Sequence, residues 1–318
     1  MATASRNKAK TIAAVIPIGS SKAHKDEVTA LAFSPCGTFL ASGSRDASVR
    51  LWRSDTVVRE QVQYQRTPKW APHHIAFGPR WGEILMVTFK ARDDGSAVFS
   101  WDTIANACTL LGGGSGRVQI RVGLPVPAPM GSAVVFCGTP LRRFDVAERT
   151  WSPSPFSLKG SCNSAAFSDD GKFFAAATAE GVTVFDAHSR KRVRVQRSEA
   201  EATCVACLPQ EGKVAFGTAE GQVQLWDYGS DRIGKTWKGD PVSALVPIGG
   251  DRLISIHRSG DACSARLLSV KSTEVLAEYT FGEHVSVVAV STDGRFIAAG
   301  ESGGTVSVWD LRALLPTP

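Results

Sequence analysis

No stretch of this sequence approaches the roughly 20 apolar residues a helix needs to cross a bilayer. The best aliphatic run, Thr11 to Ile18, is cut short by Pro17 and Gly19. No segment offers a 3.6-residue apolar period, which argues against helical architectures. Cysteine is sparse, with seven residues scattered at 36, 108, 137, 162, 204, 207 and 263. The number is odd and no secretory apolar segment precedes them, so a disulfide framework is not indicated and a reducing setting, cytoplasm or nucleus, is expected. What is present is ordinary for a globular protein: 43% apolar and 21% charged residues, with 30 Gly and 16 Pro in 318. That balance excludes collagen, coiled coil and wholesale disorder, and it leaves enough material for one large domain or two ordinary ones.

Acidic residues are also missing from the first 25 positions, which carry Arg6, Lys8, Lys10, Lys22 and Lys25. The formal charge of +6 therefore resides almost wholly in this end, leaving 31 basic against 30 acidic residues elsewhere. A neutral body supplies little of the long-range attraction that dominates nucleic-acid binding. Residues 1–10 are expected to form a flexible basic arm. Their Ala, Ser, Arg and Lys content also fits the start of an organellar transit peptide, so import is an open alternative.

The chain repeats itself. An apolar strand ending in a large residue recurs at Trp52, Trp101, Phe144, Phe185, Trp226, Leu268 and Trp309, spaced by 49, 43, 41, 41, 42 and 41 residues. Within each unit, apolar runs of four to six residues alternate with turn residues, as in Val28–Phe33, Ser34-Pro35-Cys36-Gly37, Phe39–Ser42, Gly43–Ala47 and Ser48–Trp52. This is a β pattern repeated seven times.

The residues Ala32-Phe33-Ser34-Pro35-Cys36-Gly37, Leu40-Ala41-Ser42-Gly43-Ser44-Arg45-Asp46 and Trp52, with the Trp-Asp endings at 101, 226 and 309, resemble the WD-repeat β-propeller family. The resemblance implies an all-β, seven-bladed propeller of four-stranded antiparallel blades over residues 11–318. In that family the first strand of the chain completes the last blade, so Thr11 to Ile18 is expected beside Thr305–Trp309. The resemblance also implies a buried polar set in the first repeat, made of His24, Asp46, Ser42 or Ser44, and Trp52, with Trp101, Trp226 and Trp309 as structural counterparts. Glu220 and Gly303 stand where the Asp aligns in repeats five and seven, so those sets are incomplete.

Several motifs suggest chemistry. Gly229 to Thr236 has the spacing of a phosphate loop, but Gly239 and Pro241 follow where the required helix must start. Cys204 and Cys207 lie three apart in a strand, which sends the two thiols to opposite faces, and His73-His74 are adjacent in another. No metal, cofactor or catalytic residue is therefore assigned. The basic run Ser189 to Arg197 reads either as a contact for an acidic partner, RNA or anionic lipid, or as an outer strand whose charges guard an exposed edge. Leu141-Arg142-Arg143-Phe144 only echoes the Phe-Arg-Arg-Gly motif of lipid-binding propellers. Gly112 to Gly116 and Pro125 to Met130 read as irregular loops around the third blade.

The expectation is a non-catalytic scaffold or adaptor that binds protein subunits or short peptides. Family propellers engage partners on the face bearing the turns before the first strand and between the second and third. By repeat register these positions include Glu27, Arg45, Arg92, Asp240, His257, Arg258, Glu283 and His284. An RNA- or anionic-surface-binding subunit using the basic arm and residues 190–197 is the alternative, and a nucleotide-binding enzyme using 229–236 is a weaker one.

Overall fold

The computed structural model describes residues 10–12, 17–56, 61–67, 70–89, 96–113, 122–129, 133–209, 212–260, 262–282 and 284–314. Alternating burial and turn-forming Gly, Asp and Ser residues divide the chain into short strands, and the strands hydrogen-bond into seven separate sheets. Each sheet contains a four-stranded antiparallel blade. The first is Val28–Phe33, Phe39–Ser44, Ser48–Arg53 and Gln61–Arg66, and the innermost strands of blades two to six, with Pro35, Thr292 and Asp293, line a central channel. The end of the third strand marks the register sharply. Five residues after each of Trp101, Phe144, Phe185, Trp226 and Leu268, a non-glycine residue (Asn106, Arg149, Arg190, Asp231, Thr273) adopts a positive φ and turns the chain into the outer strand.

A single blade has two apolar faces and cannot cover both, so the core lies between blades. Seven buried clusters occupy the seven junctions: Ala41, Leu51, Ile75, Ile84 and Trp101 join blades one and two, and Phe296, Ala298 and Val306 meet Val28, Leu40 and Trp52 where blade seven meets blade one. A belt of hydrogen bonds follows four of these junctions. The second residue of an innermost strand reaches the carbonyl of the first residue of the next innermost strand: Thr29 to Pro72, Asn163 to Ala202 at 3.0 Å, Thr203 to Val242, and Ser286 to Val28 at 2.6 Å.

Two expectations about strands are corrected here. The partner of Thr305–Asp310 is Gly19–Lys22, not Thr11–Ile18; the pairs run from Gly19 with Val308 to Lys22 with Thr305. The outer strand of a blade is half exposed, and Gly19-Ser20-Ser21-Lys22 alternates half-buried and exposed positions, so an apolar run is not required. Lys10–Ile12 instead adds a fifth, parallel strand to the sixth blade beside Ala277–Tyr279. Lys10 thus belongs to a strand, while the rest of the expected arm lies outside the described residues. The second correction concerns Pro125 to Met130. Val122–Pro127 is the innermost strand of the third blade, with Pro125 and Val126 buried. An innermost strand has one unpaired edge, where a residue lacking an N–H is tolerated. Gly112 lies inside the outer strand Ala107–Gly113, and Trp151 fills the space a side chain there would need, donating its indole N–H to the Leu111 carbonyl at 2.9 Å.

The joint between blades seven and one is tight. His24 donates its backbone N–H to the Gly304 carbonyl at 2.9 Å. Gly304 has φ +85°, and a Cβ there would collide with the His24 carbonyl, so the position requires glycine on both counts.

Candidate functional site

The polar set of the first blade assembles as the resemblance implied, with two refinements. Trp52 donates its indole N–H to the Ser42 hydroxyl at 2.9 Å, and Ser42 lies 2.8 Å from His24 Nε2. His24 Nδ1 lies 3.0 Å from the Ser48 hydroxyl and 3.3 Å from Asp46 Oδ2, and Ser48 in turn donates to Asp46. Donor counting fixes the sense of the chain: Ser42 accepts from Trp52 and donates to an unprotonated Nε2, while Nδ1–H points toward Ser48 and Asp46. Ser42 is thus the second-strand member, and Ser48 is a member that sequence reasoning missed. Ser44 does a separate job, donating to the Asp26 carbonyl at 3.0 Å and receiving the Asp46 N–H at 3.1 Å.

Burial pushes His24 down to about 4, only partly offset by Asp46. For Asp46, burial pushes upward, but the Ser48 hydroxyl, the Lys25 N–H and His24 together hold it below the usual carboxylate value. A neutral, fully bonded histidine with no open face is a brace, not a catalytic base.

The other tryptophans are held differently. Trp101 donates to Asn106 at 3.1 Å and Trp226 to Asp231 at 3.3 Å, each reaching the positive-φ residue five positions onward. Trp309 packs at a tilt on Phe281, with ring centroids 5.3 Å apart. Among the described residues no group of three or more His, Cys, Asp or Glu is placed to hold a metal ion. Cys204 faces the junction of blades five and six, and Cys207 that of blades four and five, and burial raises both thiols to about 12. His73 is exposed while His74 points to the central channel. Residues 229–236 form a hairpin turn and part of the outer strand Arg232–Lys238, with Lys235 Nζ on the Thr273 carbonyl at 2.7 Å.

The turn-bearing face carries most of the expected contact residues. Arg45 and Glu27 form an ion pair at 2.9 Å, and the Arg45 backbone N–H also donates to the Glu27 carbonyl at 2.9 Å. The same backbone tie recurs around the ring, joining Ala219 to Glu201, Arg258 to Pro241 and Ser302 to His284. Three of these ties clamp a turn between the second and third strands onto the loop entering its own blade, and the fourth, at Arg258, clamps the end of a longer second strand. Arg258 occupies in blade six the register of Arg45, but its guanidinium crosses to blade seven, donating to the carbonyls of Val285 at 3.0 Å and Ser286. Asp240 and His284 are exposed on this face, whereas Arg92 and Glu283 lie outside the described residues.

His257 is a correction. It is 2% exposed, not a surface contact. It pairs with Val242 just as Ser44 pairs with Val28, and its Nδ1 meets the Asp240 carbonyl at 2.7 Å as Ser44 meets that of Asp26. Its Nε2 lies 2.8 Å from Ser255, the counterpart of Ser42. The reason is a longer hairpin. The second strand of blade six runs to Ser259 and pairs as far as Ala262, so the turn falls beyond His257.

Comparisons with known proteins agree with this geometry. Residues 16–53 and 277–310 match the family model described as WD domain, G-beta repeat. Each matched segment includes outer-strand residues of one blade together with the first three strands of the next. WD repeat-containing protein 1 of Gallus gallus is 21% identical over 308 residues, covering 90% of this chain and 48% of the relative. Striatin-4 of Homo sapiens is 45% identical over 65 residues, 20% of this chain and 9% of that protein. Striatin of Homo sapiens is 41% identical over 64 residues, 20% of this chain and 8% of its own length. The chain thus spans less than half the length of each of these relatives.

Proposed function

Because this chain belongs to the WD-repeat β-propeller family, whose members are generally non-catalytic scaffolds, we propose that it is an interaction scaffold or adaptor whose turn-bearing face binds a protein subunit or short peptide. The observation that carries this reading is the row of backbone-clamped turns. The ties hold Arg45, Glu27, Arg258 and His284 at fixed points on one face of a closed ring, where Asp240 is also exposed. A surface held in advance loses little conformational entropy when a partner docks, which favours recognition by a few charged anchors. A cytoplasmic or nuclear setting is part of the proposal, and seven unpaired thiols support it.

Affinity purification of the tagged chain with mass spectrometry of what co-purifies is the test. Stoichiometric protein partners are expected, and an Arg45→Glu, Arg258→Glu variant that melts like the parent is expected to lose them. A chain that always isolates alone, or partners indifferent to these changes, would overturn the reading.

A further inference from the structure

We propose that the rim of the fourth blade is a strand-docking groove for an extended acidic segment of a partner protein. This surface lies at the outer edge of the ring, apart from the turn-bearing face, and the inference goes beyond the reading given above.

The backbone comes first. Arg192–Arg197 is the outermost strand of its blade and pairs, among the described residues, with Gly181–Asp186 alone. The Ser198 N–H donates to the Glu180 carbonyl at 3.1 Å, and the same register places Gln196 opposite Val182 and Arg194 opposite Val184. Antiparallel partners alternate in the direction of their polar groups, so Val195 and Arg197 direct their N–H groups away from the sheet. The Val195 carbonyl points the same way, while that of Arg197 is taken by the Gln196 amide at 2.9 Å. An extended peptide would find a usable ladder here. The molecule already accepts such a strand elsewhere, since Lys10–Ile12 lies along the outer edge of blade six.

The side chains then select the occupant. A groove of about 470 Å³ runs beside this edge, walled by Leu158 and Lys159 from the preceding linker. Val193 and Val195 are 42% and 41% exposed, two apolar side chains alternating with arginines. Charge that only guards an edge against aggregation needs neither the valines nor the groove. Arg194 is paired with Asp231 at 3.3 Å, but Lys159, Arg192 and Arg197 have no ion-pair partner among the described residues, and Glu180 is the one acidic residue in the wall. The adjoining edge of blade five, tied to Arg194 through Asp231, adds the exposed Arg232. These charges repel the chain's own basic amino end and attract carboxylates. Alternating acidic and apolar residues on an added strand would meet the arginines and valines in turn, with the main chain supplying affinity and the side chains specificity.

The test uses the purified full chain and a short dye-labelled peptide alternating glutamate and valine, followed by fluorescence anisotropy at low and high salt. Salt-sensitive binding is expected. It should weaken at least about tenfold in an Arg192→Glu, Arg197→Glu variant and in Val195→Pro, which removes an outward N–H. Methylating alternate backbone nitrogens of the peptide should abolish binding without touching the protein, and a lysine-valine peptide should not bind. Failure of the peptide to bind at low salt, or binding indifferent to backbone methylation, overturns the proposal. So does tighter binding of poly-uridine that is lost in the same arginine variant. Partners captured through Arg45 and Arg258 would persist in all these cases, which separates this failure from that of the scaffold reading.

Discussion

At the scale of single residues, the first blade depends on a histidine kept neutral. His24 titrates at about 4 in the folded chain and near 6.5 when unfolded, so the unfolded state binds the proton more readily between those values. Its contribution is complete above pH 6.5 and is lost as pH falls toward 4. Thermal melting across that window is expected to show a falling midpoint, flatter in His24→Gln than in the parent, with remaining slope from His74, which burial also brings to about 4, and from His73 and His257, which burial also lowers. Thiol chemistry provides a second expectation. Cys36 is exposed and its thiol is lowered by hydrogen bonds from Ser34 and Thr38, whereas burial raises Cys204 and Cys207 to about 12 and Cys263 to about 11. Iodoacetamide should label Cys36 first in the native protein and reach the other three only on unfolding, as peptide mapping would show. His24, Asp46 and Trp52 were legible only through the family resemblance, which implies such a buried polar set. His257 was not, because its role is fixed by a hairpin three residues longer than that of the first blade, and turn length is weakly written in composition.

At the scale of elements, the seven strands ending at 52 to 309 were readable from apolar periodicity and turn residues, and the structure places a blade at every one. The belt between blades was overlooked although its mark is visible: Thr29, Asn163, Thr203 and Ser286 all stand second in an innermost strand. A recurrent polar residue on an otherwise apolar strand signals a buried partner outside the repeat, and only the ring shows which carbonyl that is. Thr203→Val preserves shape while leaving the Val242 carbonyl without its hydroxyl. It should cost about 1 kcal/mol, read as a lower urea midpoint at unchanged slope. The amino-terminal strand was misplaced for the opposite reason. An outer strand needs few apolar residues, so Thr11–Ile18 attracted the assignment that Gly19–Lys22 holds.

At the scale of the whole molecule, stability is shared among seven junctions, and the one between blades seven and one is made from both ends of the chain. Deleting residues 1–22 removes the outer strand of blade seven and bares the edge of Thr305–Asp310. The melting midpoint should drop by on the order of 10 °C in differential scanning calorimetry. A midpoint unchanged by this deletion would contradict the closure seen here. The same pairing also sets an order of events in the cell. Gly19–Lys22 is made well before its partner and waits, unmatched, until Thr305–Asp310 has been translated. Until then the nascent disc is an open arc with a loose front, so the interval between making these two strands sets the earliest moment at which it locks.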